Sequence, residues 1–381
     1  MPKSKRAKTQ ACEKKRIKTG KVLKKTAVAA PEQKANQMLM KGKLTEKEAE
    51  ELDKELVAAT TPPQLTVEST SLLGSPQKLW SLMVDCDKVL RPSQKCLESH
   101  PAIKRNIRSI LIDWMMEVCE SERQHRETFH LAIDYVDRFL ANSSDIECER
   151  FQLLGMTAIF IASKYEEIYP PKLEDFIYYT DNACTCHEVR EMELYVLEKL
   201  NWILSPITSI HWLAFFMQLL GKKELPPPNS GPSPDIPCVV PNLMIGDFMH
   251  MAKILDLCLA DIRTLEYTYR EMAAAVLFNC LEPQKLIQQV TGIHPFSIAR
   301  IIEWAEPFVR YCDQRRPTGD PIPHRDGVPI DDLHNIQGHN YYDKIEDALA
   351  EIEEDRKQLS HQARELRMAG KRHVLRARLY V

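Results

Sequence analysis

Glycine is scarce in this chain of 381 residues, which contains 12 of them. Glycine-rich phosphate-binding loops and tight β-hairpins both need backbone positions with positive φ, so the scarcity disfavours both. The sequence also lacks the G-x-S-x-G, Walker and H-E-x-x-H patterns and the kinase signature motifs. We therefore assign no catalytic residue and no cofactor, and we expect the protein not to be an enzyme.

The chain contains 11 cysteines, but the spacing of a disulfide framework is missing. The cysteines lie in apolar segments, which is typical of reduced thiols in the core of an intracellular protein. The close pair Cys184 and Cys186 has no second cysteine pair or histidine pair nearby, so we predict no metal site. No apolar run approaches the roughly 20 residues of a membrane span, and we predict no membrane contact.

The net charge is small, at −3, but it hides a strongly basic beginning. The clusters KSKRAK and KKRIK stand in a segment that is nearly free of acids. Such a segment is typical of a solvated tail or of a nuclear import signal, and two clusters favour import and a nuclear location. We predict no direct contact with nucleic acid, and we take residues 1–70 as a mostly disordered region with a proline-rich linker.

The middle of the chain is helical in pattern, without the period-two alternation that would predict a sheet. Two segments, LLGMTAIFIAS at residues 153–163 and EMAAAVLFNC at residues 271–280, are apolar on nearly every side. A helix without a polar face must be surrounded by other helices. The pattern therefore predicts an all-α protein with two similar bundles in tandem, each built around one buried helix.

Near the end of the chain, apolar residues recur at alternating spacings of four and three, with one arginine among them. This stripe consists of Ile345, Leu349, Ile352, Arg356, Leu359, Ala363 and Leu366. It predicts either an amphipathic helix lying on its own domain or a self-associating coiled coil. Three heptads with a charged seam position are marginal for a coiled coil, so the first alternative is favoured.

Several consecutive segments resemble those of one known family, the cyclins. NIRSILIDWMMEV resembles the cyclin-box signature MRAILVDW, and HRETFHLAIDYVDRFLA, SKYEEIYPPKLEDF and ELYVLEKLNWILSP resemble the segments that follow it in cyclins. They occur in the same order and at similar spacings. The matches HRETF, EEIYPPKL, YTDNAC, LSPIT and DLHNIQGH point to the E type within the family.

The resemblance implies tandem five-helix cyclin-box bundles with an N-terminal helix and flexible tails. We place the N-terminal cyclin box at residues 71–204, the C-terminal cyclin-like box at residues 205–325, and a tail with the amphipathic helix at residues 326–381. The implied function is that of a regulatory subunit. It would bind and activate a cyclin-dependent serine/threonine kinase, recruit its substrates and promote the G1/S transition of the cell cycle.

A kinase-binding surface follows from the same resemblance. Lys164 and Glu193 match the two charged residues through which cyclins hold the kinase, and Glu167 matches the residue that accepts an arginine from beside the activation segment. Tyr165 and Glu166 stand between them and belong to the same surface. Ordinary solvation of a helix end is the alternative explanation of these charges.

A docking patch for substrates and inhibitors is assigned on the first box helix. It comprises Ile107, Ile110, Trp114 and Glu117, which share a helix face, and by resemblance Phe151 and Gln152. In cyclins this face binds partners with a short Arg-x-Leu motif. Trp114 and Ile110 would receive the leucine and Glu117 the arginine. Burial of this face against the preceding segment or the other bundle is the alternative.

One charge falls on the apolar face of the same helix, where Arg108 lies among Leu111, Met115 and Val118. A buried arginine needs a carboxylate partner, and Asp137 on the next helix is well placed to supply one. Cyclins have an Arg–Asp pair at the matching positions. The alternative is that Arg108 extends to solvent.

The run AATTPPQLT resembles the phosphothreonine degron of E-type cyclins, with Thr61 before Pro62 as the phosphorylated residue. Phosphate there would add about −1.5 to −2 charges and could bind an arginine cluster on a ubiquitin ligase adaptor, leading to degradation. Leu65 stands where the motif usually has a second phosphorylatable or acidic residue. A plain proline linker therefore stays an alternative.

Two other classes of function are less well supported. A general transcription factor with tandem cyclin-like repeats would need basic DNA-binding surfaces on the repeats, and the sequence lacks them. A scaffold that has lost kinase binding is disfavoured by the presence of Lys164 and Glu193.

Overall fold

The computed structural model describes residues 75–92, 94–144, 146–181, 183–224, 245–316, 336 and 344–368. Within these ranges the secondary structure is helical, and no β-strand occurs. The predicted all-α class is therefore confirmed. Thr61 and the basic clusters of residues 1–70 lie outside the described residues.

In the described ranges, two groups of five α-helices follow one another, with one further helix before and one after them. The helix α1 spans Pro76–Leu90, and the first bundle contains α2 (Arg105–Ser121), α3 (Arg126–Asn142), α4 (Phe151–Glu166), α5 (Leu173–Tyr178) and α6 (Cys186–Lys199). The second bundle contains α7 (Ser209–Glu224), α8 (Ile245–Ala260), α9 (Tyr269–Cys280), α10 (Gln284–Thr291) and α11 (Ala299–Arg315), and α12 spans Ile345–Met368. Short 3-10 helices lie at Gln94–Ser99, Cys148–Arg150, Ile262–Glu266 and Pro295–Ile298.

The two helices that the sequence predicted to be central are buried. Residues 153–159 of α4 pack against α2, α3 and α6, and residues 272–277 of α9 pack against α7, α8 and α11. Small residues let these helices approach closely. A Cβ added to Gly155 would lie 2.7 Å from a side-chain atom of Leu111 on α2.

Two more helices are buried to the same degree, which the sequence pattern did not predict. In α3 every residue in 126–140 is buried, and so is every residue of α8 in 248–260. Both helices carry charges that an exposed face would normally hold. Some of these charges pair across the bundles, since Arg126 and His130 of α3 contact the Asp256 carboxylate of α8 at 2.7 and 2.8 Å.

The helix α1 precedes the first bundle in sequence but binds the second. The Asp87 carboxylate accepts hydrogen bonds from the backbone N–H groups of Tyr269 and Arg270 at 3.1 and 2.8 Å, so it caps the N-terminus of α9. Arg91 donates to the carbonyl oxygen of Tyr267 at 3.0 Å. Burial raises the pKa of Asp87 to about 6, although the two N–H donors act against this shift.

The helix α12 follows the second bundle but packs on α2 of the first as well as on α11. Ile345, Ala348 and Ile352 are buried in these contacts. Arg356 donates to the carbonyl oxygen of Trp304 at 3.0 Å. As far as Arg356, the stripe therefore forms an amphipathic helix on its own chain, which is the favoured one of the two predicted alternatives.

Candidate functional site

The last turn of α4 and the middle of α6 bring two predicted kinase-binding residues together. The Lys164 ammonium donates to the Glu193 carboxylate in an ion pair, and it also lies 4.1 Å from the centre of the Phe160 ring. The Lys164 side chain is 40% exposed and the Glu193 side chain 17%. A binding partner therefore meets a closed ion pair, a contact that the sequence analysis did not predict.

Exposed apolar side chains accompany this ion pair along both helices. Tyr165 and Leu194 directly follow the two charged residues and are 49% and 59% exposed. Ile168, Tyr169 and Ile203 are exposed too. By contrast, no large apolar side chain is exposed in the described part of the second bundle. A concentration of exposed apolar and aromatic residues is typical of a protein-binding surface.

Trp202, which lies just after α6, is a further exposed aromatic residue, and the sequence analysis missed it. Its ring is 63% exposed. It stands in the turn that ends α6, where Asn201 and Trp202 have φ values of 52° and 59°. Left-handed backbone is unusual for a bulky residue and persists only where the surroundings impose it. The available signal was the pair Asn-Trp directly after the helix.

Glu167 has an internal role that the sequence did not predict. Its Oε1 accepts hydrogen bonds from the His125 backbone N–H at 2.8 Å and the Thr128 hydroxyl at 2.5 Å, and its Oε2 lies 2.7 Å from His125 Nδ1. Burial works against the charged form, but these bonds outweigh it and lower the pKa of Glu167. Glu167 thus anchors the loop after α4 to the start of α3. An arginine from a partner would have to share this carboxylate with His125 and Thr128.

The predicted docking patch on α2 is partly open. Ile110 is 47% exposed and Glu117 is exposed, while Ile107 and Trp114 are half-buried against the core. The helix α12 packs on α2 as well, and it contacts Asp113 through its first backbone N–H group at 3.3 Å. The four patch residues thus lie at the border between the core and the surface.

The contribution of α4 to this patch needs a correction. Gln152 is half-buried, but Phe151 is only 3% exposed. The helix α4 packs against α2 and α3, and its first side chain belongs to the hydrophobic core. Phe151 is therefore a core residue and offers no open surface to a partner.

Arg108 and Asp137 are in contact, as the sequence predicted. Arg108 Nε and Nη2 donate to the two Asp137 oxygens at 2.8 and 2.7 Å, and both side chains are buried. Arg108 Nη1 also donates to the carbonyl oxygens of Leu259 and Ala260 at 3.0 and 3.2 Å, which the sequence did not predict. Burial alone would lower the pKa of Arg108, but Asp137 raises it. The pair joins α2 and α3 to the C-terminus of α8 and is structural.

The described residues contain no group of three or more His, Cys, Asp and Glu side chains arranged to hold a metal ion. Cys184 and Cys186 are free thiols. In the same part of the chain, no helix has both the length and the apolar character needed to cross a membrane.

Comparison with known proteins gives consistent matches. The model of the cyclin N-terminal domain family matches residues 78–205. The chain is 46% identical over 283 residues to a G1/S-specific cyclin-E of Caenorhabditis elegans, covering 73% of this chain and 53% of the relative. It is 36% identical over 290 residues to a G1/S-specific cyclin-E1 of Mus musculus, covering 76% of this chain and 68% of the relative.

The match spans little more than half the length of the nematode relatives. It covers 53% of the Caenorhabditis elegans protein and 57% of a G1/S-specific cyclin-E of Caenorhabditis briggsae. Among solved structures, a viral cyclin from herpesvirus saimiri matches with a TM-score of 0.51 at 16% identity. The match covers 61% of this chain and 96% of the viral chain. The similarity to the viral cyclin concerns the fold alone.

Proposed function

Because this chain belongs to the cyclin family, among the G1/S-specific cyclins E, we propose that it is the non-catalytic regulatory subunit of a cyclin-dependent serine/threonine kinase. It binds the kinase, activates it, recruits its substrates and promotes the G1/S transition. The observation that carries this proposal is the ion pair of Lys164 and Glu193 within an exposed apolar surface.

We call this surface the kinase face and define it by Lys164, Tyr165, Glu193, Leu194 and Trp202. Exposed aromatic and leucine side chains supply the apolar area that a stable interface buries. The two charges already neutralise each other in the free chain. Docking therefore leaves no uncompensated charge, and the remaining hydrogen-bonding capacity of the pair can serve the kinase backbone.

Activation follows from differential binding. If the kinase face fits the active arrangement of the kinase better than the inactive one, binding shifts the kinase towards the active state. A shift from 1:99 to 99:1 needs a difference in binding free energy of about 5.5 kcal/mol. ATP, Mg²⁺ and the groups that transfer the phosphoryl group belong to the kinase.

Substrate recruitment uses the separate patch on α2. The half-buried Trp114 and the exposed Ile110 offer a shallow apolar site for the leucine of an Arg-x-Leu motif. Glu117 is exposed on the same helix and can accept a charge-assisted hydrogen bond from the arginine. The patch then raises the local concentration of substrates or inhibitors that carry the motif.

Location and turnover are proposed from the sequence. The two basic clusters of the first segment support import into the nucleus. Phosphorylation of Thr61 would create a binding site for a ubiquitin ligase adaptor. A Thr61→Ala variant with an unchanged half-life in dividing cells would remove the support for this degron.

The experiment for the main function is co-purification. The tagged full chain is expressed with candidate cyclin-dependent kinases, and the bound kinase is assayed on a peptide without an Arg-x-Leu motif. We expect a stable complex and a phosphorylation rate far above that of the kinase alone. A chain that folds but binds and activates none of these kinases would contradict the proposal.

A further inference from the structure

The turn that carries Trp202 is held from behind by side chains of α3. Arg138 Nη1 donates to the Ile203 carbonyl oxygen at 3.0 Å, and the Tyr135 hydroxyl donates to the Leu204 carbonyl oxygen at 2.6 Å. Both side chains are buried, Tyr135 completely. Two successive carbonyl groups after Trp202 are thus fixed to the core of the first bundle.

Arg138 is itself oriented by a residue that also contacts the second bundle. Its Nε donates to Asp134 Oδ2 at 2.6 Å. The other oxygen of Asp134, Oδ1, accepts a hydrogen bond from the Tyr269 hydroxyl at 3.0 Å. Asp134 is fully buried and Tyr269 is 1% exposed, so water cannot replace this bond.

The series of contacts continues to α1. The Arg91 guanidinium lies 3.9 Å from the centre of the Tyr269 ring, and it donates to the Tyr267 carbonyl oxygen. The Tyr269 ring is therefore fixed on one side by α1 and on the other by Asp134. A continuous series of contacts, formed by Arg91, Tyr269, Asp134 and Arg138, runs from the N-terminal helix through the second bundle to the turn.

We propose that this series of contacts, the positioning chain, sets the conformation of the Trp202 turn, and that Tyr269 of the second bundle is a positioning residue for the kinase face of the first. The proposal rests on the proposed function in one respect, the assignment of Trp202 to the kinase face. Left-handed backbone at Asn201 and Trp202 persists only while the surrounding contacts impose it. Loss of the Tyr269 hydroxyl frees Asp134 and Arg138 to reorient, and the Ile203 carbonyl loses its fixed donor.

The first test observes the turn without any kinase. The full chain, which has five tryptophans, is labelled with 5-fluorotryptophan, and the fluorine resonance of Trp202 is assigned with Trp202→Phe. Tyr269→Phe should shift or broaden this resonance. The matched control is Tyr311→Phe, which removes a hydroxyl from a buried tyrosine of the same bundle outside the positioning chain. An unmoved Trp202 resonance in a folded Tyr269→Phe chain would overturn the proposal.

The second test measures affinity for the kinase that co-purifies with the chain. Tyr269→Phe should weaken binding about tenfold, the scale of one hydrogen bond to a charged group. In a chain that already carries Trp202→Ala, Tyr269→Phe should cause no further loss, because both act through the same ring. A full tenfold loss in that background would show that Tyr269 acts elsewhere and would contradict the proposal.

The two tests separate this inference from the proposed function. If Tyr269→Phe moves the Trp202 resonance but neither Tyr269→Phe nor Trp202→Ala changes kinase affinity, the positioning chain stands. The assignment of Trp202 to the kinase face is then wrong.

Discussion

Arg126 of the first bundle donates a hydrogen bond to Asp256 of the second at 2.7 Å, and neither side chain is more than 3% exposed. The other oxygen of Asp256 lies 2.8 Å from His130. One carboxylate therefore neutralises a buried arginine and orients a buried histidine, and both come from the same helix. This residue therefore joins α3 of the first bundle to α8 of the second by polar contacts.

The first prediction concerns Asp256→Leu, which leaves Arg126 buried without its carboxylate. We expect a loss of about 3–5 kcal/mol in the free energy of unfolding, measured with urea at pH 7. Asp313→Leu is the control, since the Asp313 side chain is 57% exposed although it contacts His250. A similar small loss of stability in both variants would mean that the buried pair of Arg126 and Asp256 contributes little to the free energy of unfolding.

Acidification tests the same residue by another route. Burial would raise the pKa of Asp256, but Arg126 and His130 outweigh burial and lower it below its ordinary value of 3.8. The folded state therefore gains stability from Asp256 above pH 3.8 and loses it as the pH falls through the lowered pKa. The Asp256→Leu chain should show a smaller acid-induced loss than the unchanged chain.

Asp87 should give a pH dependence of the opposite sign. Its pKa rises from 3.8 to about 6 in the folded chain, so the folded state binds this proton more tightly than the unfolded state. Its contribution to stability should fall by about 3 kcal/mol as the pH rises from about 3 to about 7, with roughly 2 kcal/mol of this loss between pH 4 and pH 6. Asp87→Asn keeps an acceptor for the N-terminus of α9 and should remove this slope in urea titrations. If the pH dependence of stability is unchanged in Asp87→Asn, other titrating groups cause it.

Because α4 packs closely on α2, we expect that adding a single methyl group between them lowers the free energy of unfolding. In Gly155→Ala the new Cβ would lie 2.7 Å from the Leu111 side chain, which has to move, and we expect a loss of about 1–3 kcal/mol. Gly246→Ala on α8 is the control, because its nearest contact is 3.8 Å away at the end of an arginine. It should be neutral or slightly stabilising in thermal unfolding.

The kinase face can be tested by exchanging its charges. Lys164→Glu with Glu193→Lys keeps an ion pair in the free chain, so stability should change by less than about 1 kcal/mol. Kinase affinity should fall by about 2 kcal/mol or more, because each charge now meets the wrong group on the kinase. The control exchanges Arg310 and Glu306, an exposed pair in the second bundle. Equal affinity for both exchanged chains would contradict the assignment of the face.

Trp114→Ala tests the docking patch. Peptides with an Arg-x-Leu motif should bind about 2 kcal/mol more weakly, while kinase binding and activity on a motif-free peptide stay nearly unchanged. Fluorescence anisotropy with a labelled peptide gives the affinity. If peptide binding and kinase binding fall together, Trp114 is a core residue and the patch is wrongly assigned.

Local chemistry explains which features could be predicted from the sequence. Arg108 stands alone on an apolar helix face, and such a charge requires a nearby carboxylate, which narrows the choice to Asp137. Asp256 could not be assigned in this way, because its partner Arg126 is 130 residues away. The hydrophobic pattern of the sequence predicts which face of a single helix is buried. Ion pairs between side chains of different bundles depend on how the two bundles pack together.

The same limit applies to the site. Lys164 and Glu193 were found through resemblance, but their mutual ion pair depends on the crossing of α4 and α6. The pair Asn-Trp after α6 marks the end of the helix, but the conformation of Trp202 was not predicted, because propensity disfavours left-handed backbone for a tryptophan. That conformation is stabilised by the backbone hydrogen bond from Trp202 N–H to the Leu197 carbonyl oxygen at 3.0 Å and by the bonds that hold the two following carbonyl groups.

The position of α1 on the second bundle has a consequence for the order in which the chain folds during synthesis. Asp87 leaves the ribosome long before the N–H groups that it caps, since Tyr269 follows 182 residues later. At a synthesis rate of about 5–20 residues per second, α1 is made roughly 10–40 seconds before its binding site on α9. Throughout that interval the exposed apolar side of a nascent helix is available to chaperones, and the docking of α1 has to follow the synthesis of α9.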